Sequence, residues 1–372
     1  MPIQLFVPTF SVDECLAEIR ECLELGWTGL GFKTVQFESA WKEYTGQSHA
    51  HFLNSATGGL HLAVNILKET RGWQDGDEII TTPLTFISPN LAILYENLMP
   101  VFADVDEYLC LDPVDVEQKI TPRTRAVMFV GLGGNPGKFE AVKELCRRRG
   151  LALILDGAHM AGTRLHGAIP DADAVIYSFQ AVKNLPTGDA GMVCFQDGTL
   201  DAIARKKSWL GISKDTFARS GEKGAYKWLY DVEYIGFKYH GNSIMAAIAL
   251  PGLKHLEQNN AYRRLVAGWY REGLANNSRL KVVPEPPDSL PSQHLFQILV
   301  DNRDELVLAL NAEEIYPGVH YRDNRDYPMY SQSEETAPRA RWASEHVLSL
   351  PMHLRLTKAD VDTVVEALNR LA

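Results

Sequence analysis

Three stretches of the chain hold residues whose types, taken together, can do chemistry. In Leu53-Asn54-Ser55-Ala56-Thr57-Gly58-Gly59-Leu60, small and hydroxyl residues open a helix with no bulky side chain over its first turn. A helix amino terminus has about four unpaired N–H groups and a partial positive charge, so the amides of Ala56 and Thr57, with the Thr57 hydroxyl, can hold a phosphate. The same residues also read as a plain N-cap. In Leu151-Ala152-Leu153-Ile154-Leu155-Asp156-Gly157-Ala158-His159, a fully apolar run ends abruptly in a carboxylate followed by two small residues. Ligands of open α/β sheets sit beyond the carboxyl ends of the strands. A carboxylate there is costly unless a cation or a protonated group meets it; a structural salt bridge is the alternative reading. The third stretch runs from Ala174 to Ser178, through Phe179-Gln180-Ala181-Val182-Lys183-Asn184, to a return at Gly188-Asp189-Ala190-Gly191. A lysine desolvated there has a lowered pKa and becomes a nucleophilic amine able to form a Schiff base. A lone lysine in a loop otherwise reads as surface decoration.

The combination narrows these readings. A phosphate-ready helix start, a carboxylate at a strand end and a lysine after a further strand describe a site for pyridoxal 5'-phosphate. That cofactor needs an amine for its aldehyde (Lys183), an anion that keeps its ring nitrogen protonated (Asp156) and a phosphate cradle.

Such residues must be held by a scaffold, and the pattern around them indicates which. From Gly59 onward helical segments alternate with short apolar runs: a helix near Leu60 to Thr70, Glu78 to Thr82, a helix near Asn90 to Glu96, then Val101 to Val105. The alternation continues through Ala126 to Val130, a helix Lys138 to Arg149, Leu151 to Leu155, Ala174 to Ser178 and Gly191 to Phe195. Runs this apolar are buried on both faces, so an α/β fold with a mostly parallel sheet between helices is expected. A long helical pattern from Ser243 to Leu274 contains Pro251, where the texture changes. Beyond it, Lys281 to Val283, a Pro-rich turn, His294 to Val300, a helix Arg303 to Leu310 and a last helix Lys358 to Leu371 predict a smaller α+β unit. A large domain over residues 1–250 and a small one over 251–372 follow, with no internal repeat.

Composition bounds the remaining choices. The 372 residues are 45% apolar and 23% charged, with 28 Gly, 19 Pro and 5 Cys, which excludes disordered, collagen-like and disulfide-scaffold classes. Lys plus Arg number 37 against 47 Asp plus Glu, a net charge of −10 with no basic block to offset it, so nucleic acid is not an expected partner. Cys15, Cys22, Cys110, Cys146 and Cys194 are scattered and form no C-x-x-C pair. Neither a metal site nor a disulfide framework is expected, and a reducing cytoplasm fits best. The first residues lack a basic region followed by a sustained apolar stretch, and no apolar run approaches about 18 residues, so export and membrane spanning are not expected.

Over nearly its whole length the chain resembles the DegT/DnrJ/EryC1/StrS family of sugar aminotransferases. The marks are Gly26-Trp27-Thr28 with Gly31, Phe37-Glu38, Thr85-Phe86, Pro100-Val101-Phe102-Ala103-Asp104-Val105-Asp106, Asp156-Gly157-Ala158-His159, Ser178-Phe179-Gln180-Ala181-Val182-Lys183-Asn184 and Gly318-Val319-His320-Tyr321. The resemblance implies the three-layer fold type I aminotransferase architecture with a smaller C-terminal α+β domain. It implies Lys183 as the amine that joins the cofactor and shuttles the proton, and Asp156 as partner of the pyridine nitrogen. Phe86 would stack on the ring, with simple core packing as its other reading. His159 would lie near the phenolic oxygen, though a lone histidine there also reads as a satisfied core residue. Ser178 would join Ala56 and Thr57 at the phosphate.

Three departures from the family pattern stand out. Gly236-Phe237-Lys238-Tyr239-His240 occupies the place where most relatives read Gly-x-Asn-Tyr-Arg. In the family this loop reaches across a dimer interface to the cofactor phosphate. The resemblance therefore implies a homodimer with shared active sites, in which Lys238 exchanges a neutral donor for an ammonium. A surface or interface role is the other reading of Lys238. A similar Gly-Tyr-Lys-Tyr occurs in relatives that aminate carbon 4 of a nucleotide-linked sugar. Gln180 stands where His or Asn is usual, and Gly188-Asp189-Ala190-Gly191 where Gly-Glu-Gly-Gly is common. The dehydratase branch carries His in place of the lysine; here Lys183 is retained.

The expected activity is transfer of an amino group from L-glutamate to a nucleoside-diphosphate 4-keto-6-deoxyhexose. Since the net charge repels a diphosphate, local groups must offset it. Thr28, His240, His320 and Arg322 are the candidates for sugar or pyrophosphate, although Arg322, beside Arg325 and two Asp, also reads as part of a solvated charge cluster. A 3-keto sugar or cyclitol transaminase would use the same machinery. A non-catalytic ligand-binding regulator of the same fold is disfavoured by the presence of both Lys183 and Asp156.

Overall fold

The computed structural model describes residues 2–213, 230–330 and 336–372. Its centre is a seven-stranded sheet with strand order β1-β8-β7-β5-β4-β2-β3. The strands are β1 His51–Leu53, β2 Glu78–Thr81, β3 Met99–Phe102, β4 Thr124–Val130, β5 Ala152–Asp156, β7 Ala174–Ser178 and β8 Gly191–Phe195. The short strand β6, Arg164–Leu165, lies outside this sheet and pairs antiparallel with β10, Ser289–Leu290. Strands β2, β3, β4, β5 and β7 pair in parallel, and β8 pairs antiparallel to both β7 and β1.

The pleat sorts the side chains onto two faces, which is why the strand runs look uniformly apolar. Ile80, Val127, Phe129, Leu153, Leu155, Val175, Tyr177 and Met192 join one core with Phe37 and Trp41 of the helix Phe32–Thr45. Ile79, Ala126, Met128, Ile154, Ala174, Ile176 and Val193 join the other, with Leu60, Leu62, Ala63 and Ile66 of the helix Ala56–Arg71. Each fully buried aliphatic side chain contributes roughly 1.5–3 kcal/mol, so covering both faces is what stabilises this three-layer α/β arrangement.

The expected helix near Leu60 starts earlier, at Ala56, because Ser55 caps it by accepting from the Gly58 amide at 3.1 Å. It ends at Gly72, whose φ of 68° is left-handed. The helix Ser243–Leu274 runs unbroken through Pro251 for 32 residues. Its leading half places Ala246, Ala249, Leu253 and Leu256 in the large core. Its trailing half places Val266, Ala267, Tyr270 and Leu274 in a separate core. The change of packing partner thus falls between Leu256 and Val266. That second core covers a three-stranded antiparallel sheet of β9 Leu280–Val282, β11 Phe296–Val300 and β12 Val347–Leu350. Two amino-terminal helices, Val12–Glu24 and Phe32–Thr45, precede the alternation and pack along the long helix.

Candidate active site

The carboxyl ends of β4, β5 and β7 converge on a cavity of about 620 Å³, within the roughly 300–1,000 Å³ usual for small-molecule sites. Asp156 ends β5 and Ser178 ends β7, and both line the cavity. Opposite them the helix Ala56–Arg71 presents its first turn through Ser55, Ala56 and Thr57. The Thr57 hydroxyl lies 2.8 Å from that of Ser88. β8 starts so close to this turn that a Cβ on Gly191 would lie 2.5 Å from the Ser55 carbonyl carbon and 2.6 Å from the Ala56 nitrogen.

Asp156 is 5% exposed, and its Oδ1 accepts from the Ala158 amide at 3.0 Å. Burial raises it to about 6, against the pull of that amide and of the Lys183 charge. Lys183 lines the same cavity, and burial lowers it to about 8, with the Asp156 charge opposing. Its turn is tightly built. Gln180 Oε1 accepts from the Val182 amide at 3.0 Å, and the Lys183 amide donates to Gln180 O at 2.9 Å. The neighbouring Asn184 side chain donates to Asn260 at 2.8 Å and to Ser292 O at 2.7 Å, anchoring the turn to the long helix and to the segment before β11.

His159 Nδ1 accepts from the Gly133 amide at 3.1 Å, which places the proton of the neutral ring on Nε2, 3.4 Å from the Tyr321 hydroxyl. Burial, and then the charges of Lys183 and His320, hold His159 well below the ordinary histidine value, so it stays neutral. His320 lines the cavity with Nδ1 2.9 Å from Ser349 Oγ, and burial lowers it to about 4. Phe86, 54% exposed, forms one wall with its ring 5.9 Å from that of Tyr321.

Residues 11–369 match the model of the DegT/DnrJ/EryC1/StrS aminotransferase family. The chain belongs to that family. Among relatives of this aminotransferase, the spore coat polysaccharide biosynthesis protein SpsC of Bacillus subtilis (strain 168) is 35% identical, the alignment covering 97% of this chain and 95% of SpsC. The aminotransferase TlmJ from Streptoalloteichus hindustanus superposes with a TM-score of 0.91 at 31% identity, covering 100% of this chain and 98% of TlmJ. S. venezuelae DesV, solved in complex with a ketimine intermediate, gives 0.87 at 31% identity, covering 96% and 94%. The fold is accordingly the fold type I architecture, and the enzyme is a sugar aminotransferase of a pyridoxal phosphate-dependent family.

The residues of this aminotransferase suit that cofactor. A helix start packed backbone to backbone against Gly191 leaves open amides for a phosphate. A buried carboxylate with one backbone partner and a desolvated lysine share the same cavity. Of the residues singled out from the sequence, Ala56, Thr57, Phe86, Asp156, His159, Ser178, Lys183 and His320 all line it. Thr28, Lys238, His240 and Arg322 do not. Thr28 is exposed. His240 faces the Trp209 ring at 4.2 Å. Arg322 Nε lies 3.3 Å from Asp326 near the surface, whereas Arg325 binds the fully buried Asp323 at 2.6 Å, so the expected solvated charge cluster is in part a buried ion pair. Lys238 Nζ sits 3.2 Å over the Trp209 ring.

Sequence reasoning missed Ser88, and it left Tyr321 and Gln180 without a role. Both stood inside the quoted motifs Gly318-Val319-His320-Tyr321 and Ser178 to Asn184, so their position was visible while their partners were not. Among the described residues no helix is long and apolar enough to cross a membrane.

Proposed function

We propose that this aminotransferase moves an amino group from L-glutamate to carbon 4 of a nucleoside-diphosphate 4-keto-6-deoxyhexose, with pyridoxal phosphate as cofactor. The observation that carries the reading is the convergence of Lys183, Asp156 and the helix start at Ala56 in one cavity. The choice of carbon 4 is supported by Gly236-Phe237-Lys238-Tyr239, which resembles the Gly-Tyr-Lys-Tyr of relatives that aminate that position.

Bound there, pyridoxal phosphate would supply an aldehyde carbon to carry the amino group and a ring to delocalise the electron pair left by the departing α-proton. The chain's own groups do the rest. Lys183 Nζ takes the α-proton and returns it in the opposite half-reaction, and burial, which lowers it to about 8, favours the neutral amine this requires. Asp156 holds the protonated pyridine nitrogen, exchanging an isolated buried carboxylate for a paired one. His159 offers its Nε2 proton toward the phenolic oxygen, and Phe86 covers one face. The amides of Ala56 and Thr57, with the hydroxyls of Thr57 and Ser178, hold the phosphate.

Lys238, which does not line its own chain's cavity, would complete the phosphate site of a second copy. Leu210, Val232 and Ile235 beside that segment are 46%, 63% and 91% exposed, an apolar surface suited to burial in a homodimer. Thr28, His240, His320 and Arg322 remain the groups proposed for the sugar nucleotide, with His320 placed in the cavity itself.

The test compares turnover of dTDP-4-keto-6-deoxyglucose with that of its 3-keto isomer, with product regiochemistry read by NMR. Amination at carbon 4 is expected, and exclusive amination at carbon 3 would overturn the assignment.

A further inference from the structure

The segment that carries Lys238 rests on a buried polar chain lying outside the cavity. Glu38, on the helix Phe32–Thr45, is 7% exposed. Its Oε1 accepts from the Phe52 amide at 2.8 Å and lies 3.0 Å from His51 Nδ1, while its Oε2 accepts from Arg205 at 2.8 Å. His51 Nε2 is 2.7 Å from Ser208 Oγ. Ser208 in turn offers its carbonyl to the amides of Tyr239 and His240, at 3.0 and 3.2 Å. The next residue, Trp209, bridges backbone to backbone with Lys238 and places its indole under the ammonium.

A carboxylate, an imidazole and a hydroxyl in this order and spacing have the geometry of a hydrolytic triad. Here Ser208 is 0% and His51 is 3% exposed, so no substrate reaches the hydroxyl and the arrangement is left with a mechanical task. Burial pushes Glu38 up, but His51, Arg205 and the Phe52 amide outweigh it and keep Glu38 a carboxylate. The acceptor-only Glu38 therefore requires His51 Nδ1 to be the donor, which fixes the ring and aims Nε2 at Ser208. From the other side Asn54 donates its amide to Tyr239 O at 2.8 Å and its side chain to Lys238 O at 3.0 Å. The segment is thereby clamped between the phosphate-binding turn and Ser208.

We infer that Glu38, His51 and Ser208 form a positioning relay that sets Trp209, and through it Lys238, for the phosphate held by a second copy of the chain. The inference rests on the role proposed for Lys238. It is tested by titrating pyridoxal phosphate into the full-length apoenzyme and following absorbance, for the wild type, Lys238→Met, His51→Leu, His51→Gln and the double variant Lys238→Met/His51→Leu. Lys238→Met and His51→Leu should each weaken binding about tenfold, the double variant no more than Lys238→Met alone, since both remove one contact. His51→Gln, whose amide reaches about as far as imidazole Nε2, should recover most of the loss.

Unchanged affinity in His51→Leu, or effects that multiply in the double variant, would overturn the relay and leave the Lys238 reading intact. Unchanged affinity in Lys238→Met would defeat that reading and the relay with it. If His51→Leu does not fold, Ser208→Ala, which removes a single hydroxyl, enters the same cycle with the same expected coupling.

Discussion

An amine attacks an aldehyde only through its lone pair, so the state of Lys183 governs how the apoenzyme captures its cofactor. With burial lowering Lys183 to about 8, the uptake rate should rise about tenfold per pH unit below that point and level off above it. The neighbouring Asp156 charge raises Lys183 against the effect of burial. Asp156→Asn should therefore move the midpoint to lower pH, the opposite of what loss of a base would do. Stopped-flow absorbance across pH checks both, and a midpoint that stays put in Asp156→Asn would show that the two groups do not interact. Lys183→Ala should abolish turnover altogether. At this scale the sequence was legible where chemistry demands a residue type inside a short motif, as for Asp156, His159 and Lys183. It was silent where the partner lies far along the chain: Thr57 meets Ser88, and His159 meets Tyr321, across intervals that leave no local spacing to read.

Among the elements, the approach of β8 to the helix Ala56–Arg71 shapes the helix start proposed as the phosphate cradle. No side chain fits between them, since a Cβ on Gly191 would meet backbone atoms of Ser55 and Ala56 rather than a flexible side-chain end. Gly191→Ala must displace the helix start, and pyridoxal phosphate affinity should fall about tenfold or more. Ser55→Ala provides the contrast: it removes the cap on Gly58 and should cost about 1 kcal/mol of stability, read as a lowered melting temperature in the apoenzyme. Equal melting losses in both variants with no difference in affinity would contradict the separation of cradle from cap. The βα alternation beyond Gly59 was legible because strands buried on both faces read as continuous apolar runs. The helix Phe32–Thr45 was not, since it buries Lys33, Thr34 and Glu38 beside Phe37 and Trp41 and leaves Val35 exposed, so no clean apolar face marks it in the sequence. Pro251 misleads in a similar way: proline in a helix removes one donor, and a helix buried along both lobes absorbs that loss.

For the whole molecule, the placement of Lys238 bears on whether two copies of the chain share a site. Its ammonium lies over Trp209, away from the cavity that holds Lys183. If it serves the neighbouring site, each working centre draws Lys183 from one copy and Lys238 from the other. Mixing Lys183→Ala chains with Lys238→Met chains should then give a mixed dimer more active than either homodimer at limiting pyridoxal phosphate. In each mixed dimer one of the two centres combines both intact lysines, so the purified mixed species should return roughly half of wild-type turnover. Two affinity tags purify the mixed species, and turnover is then measured at a cofactor concentration near the wild-type dissociation constant. Were Lys238 to act within its own chain, no centre in the mixed dimer would hold both lysines, and its activity would not exceed the average of the two parents.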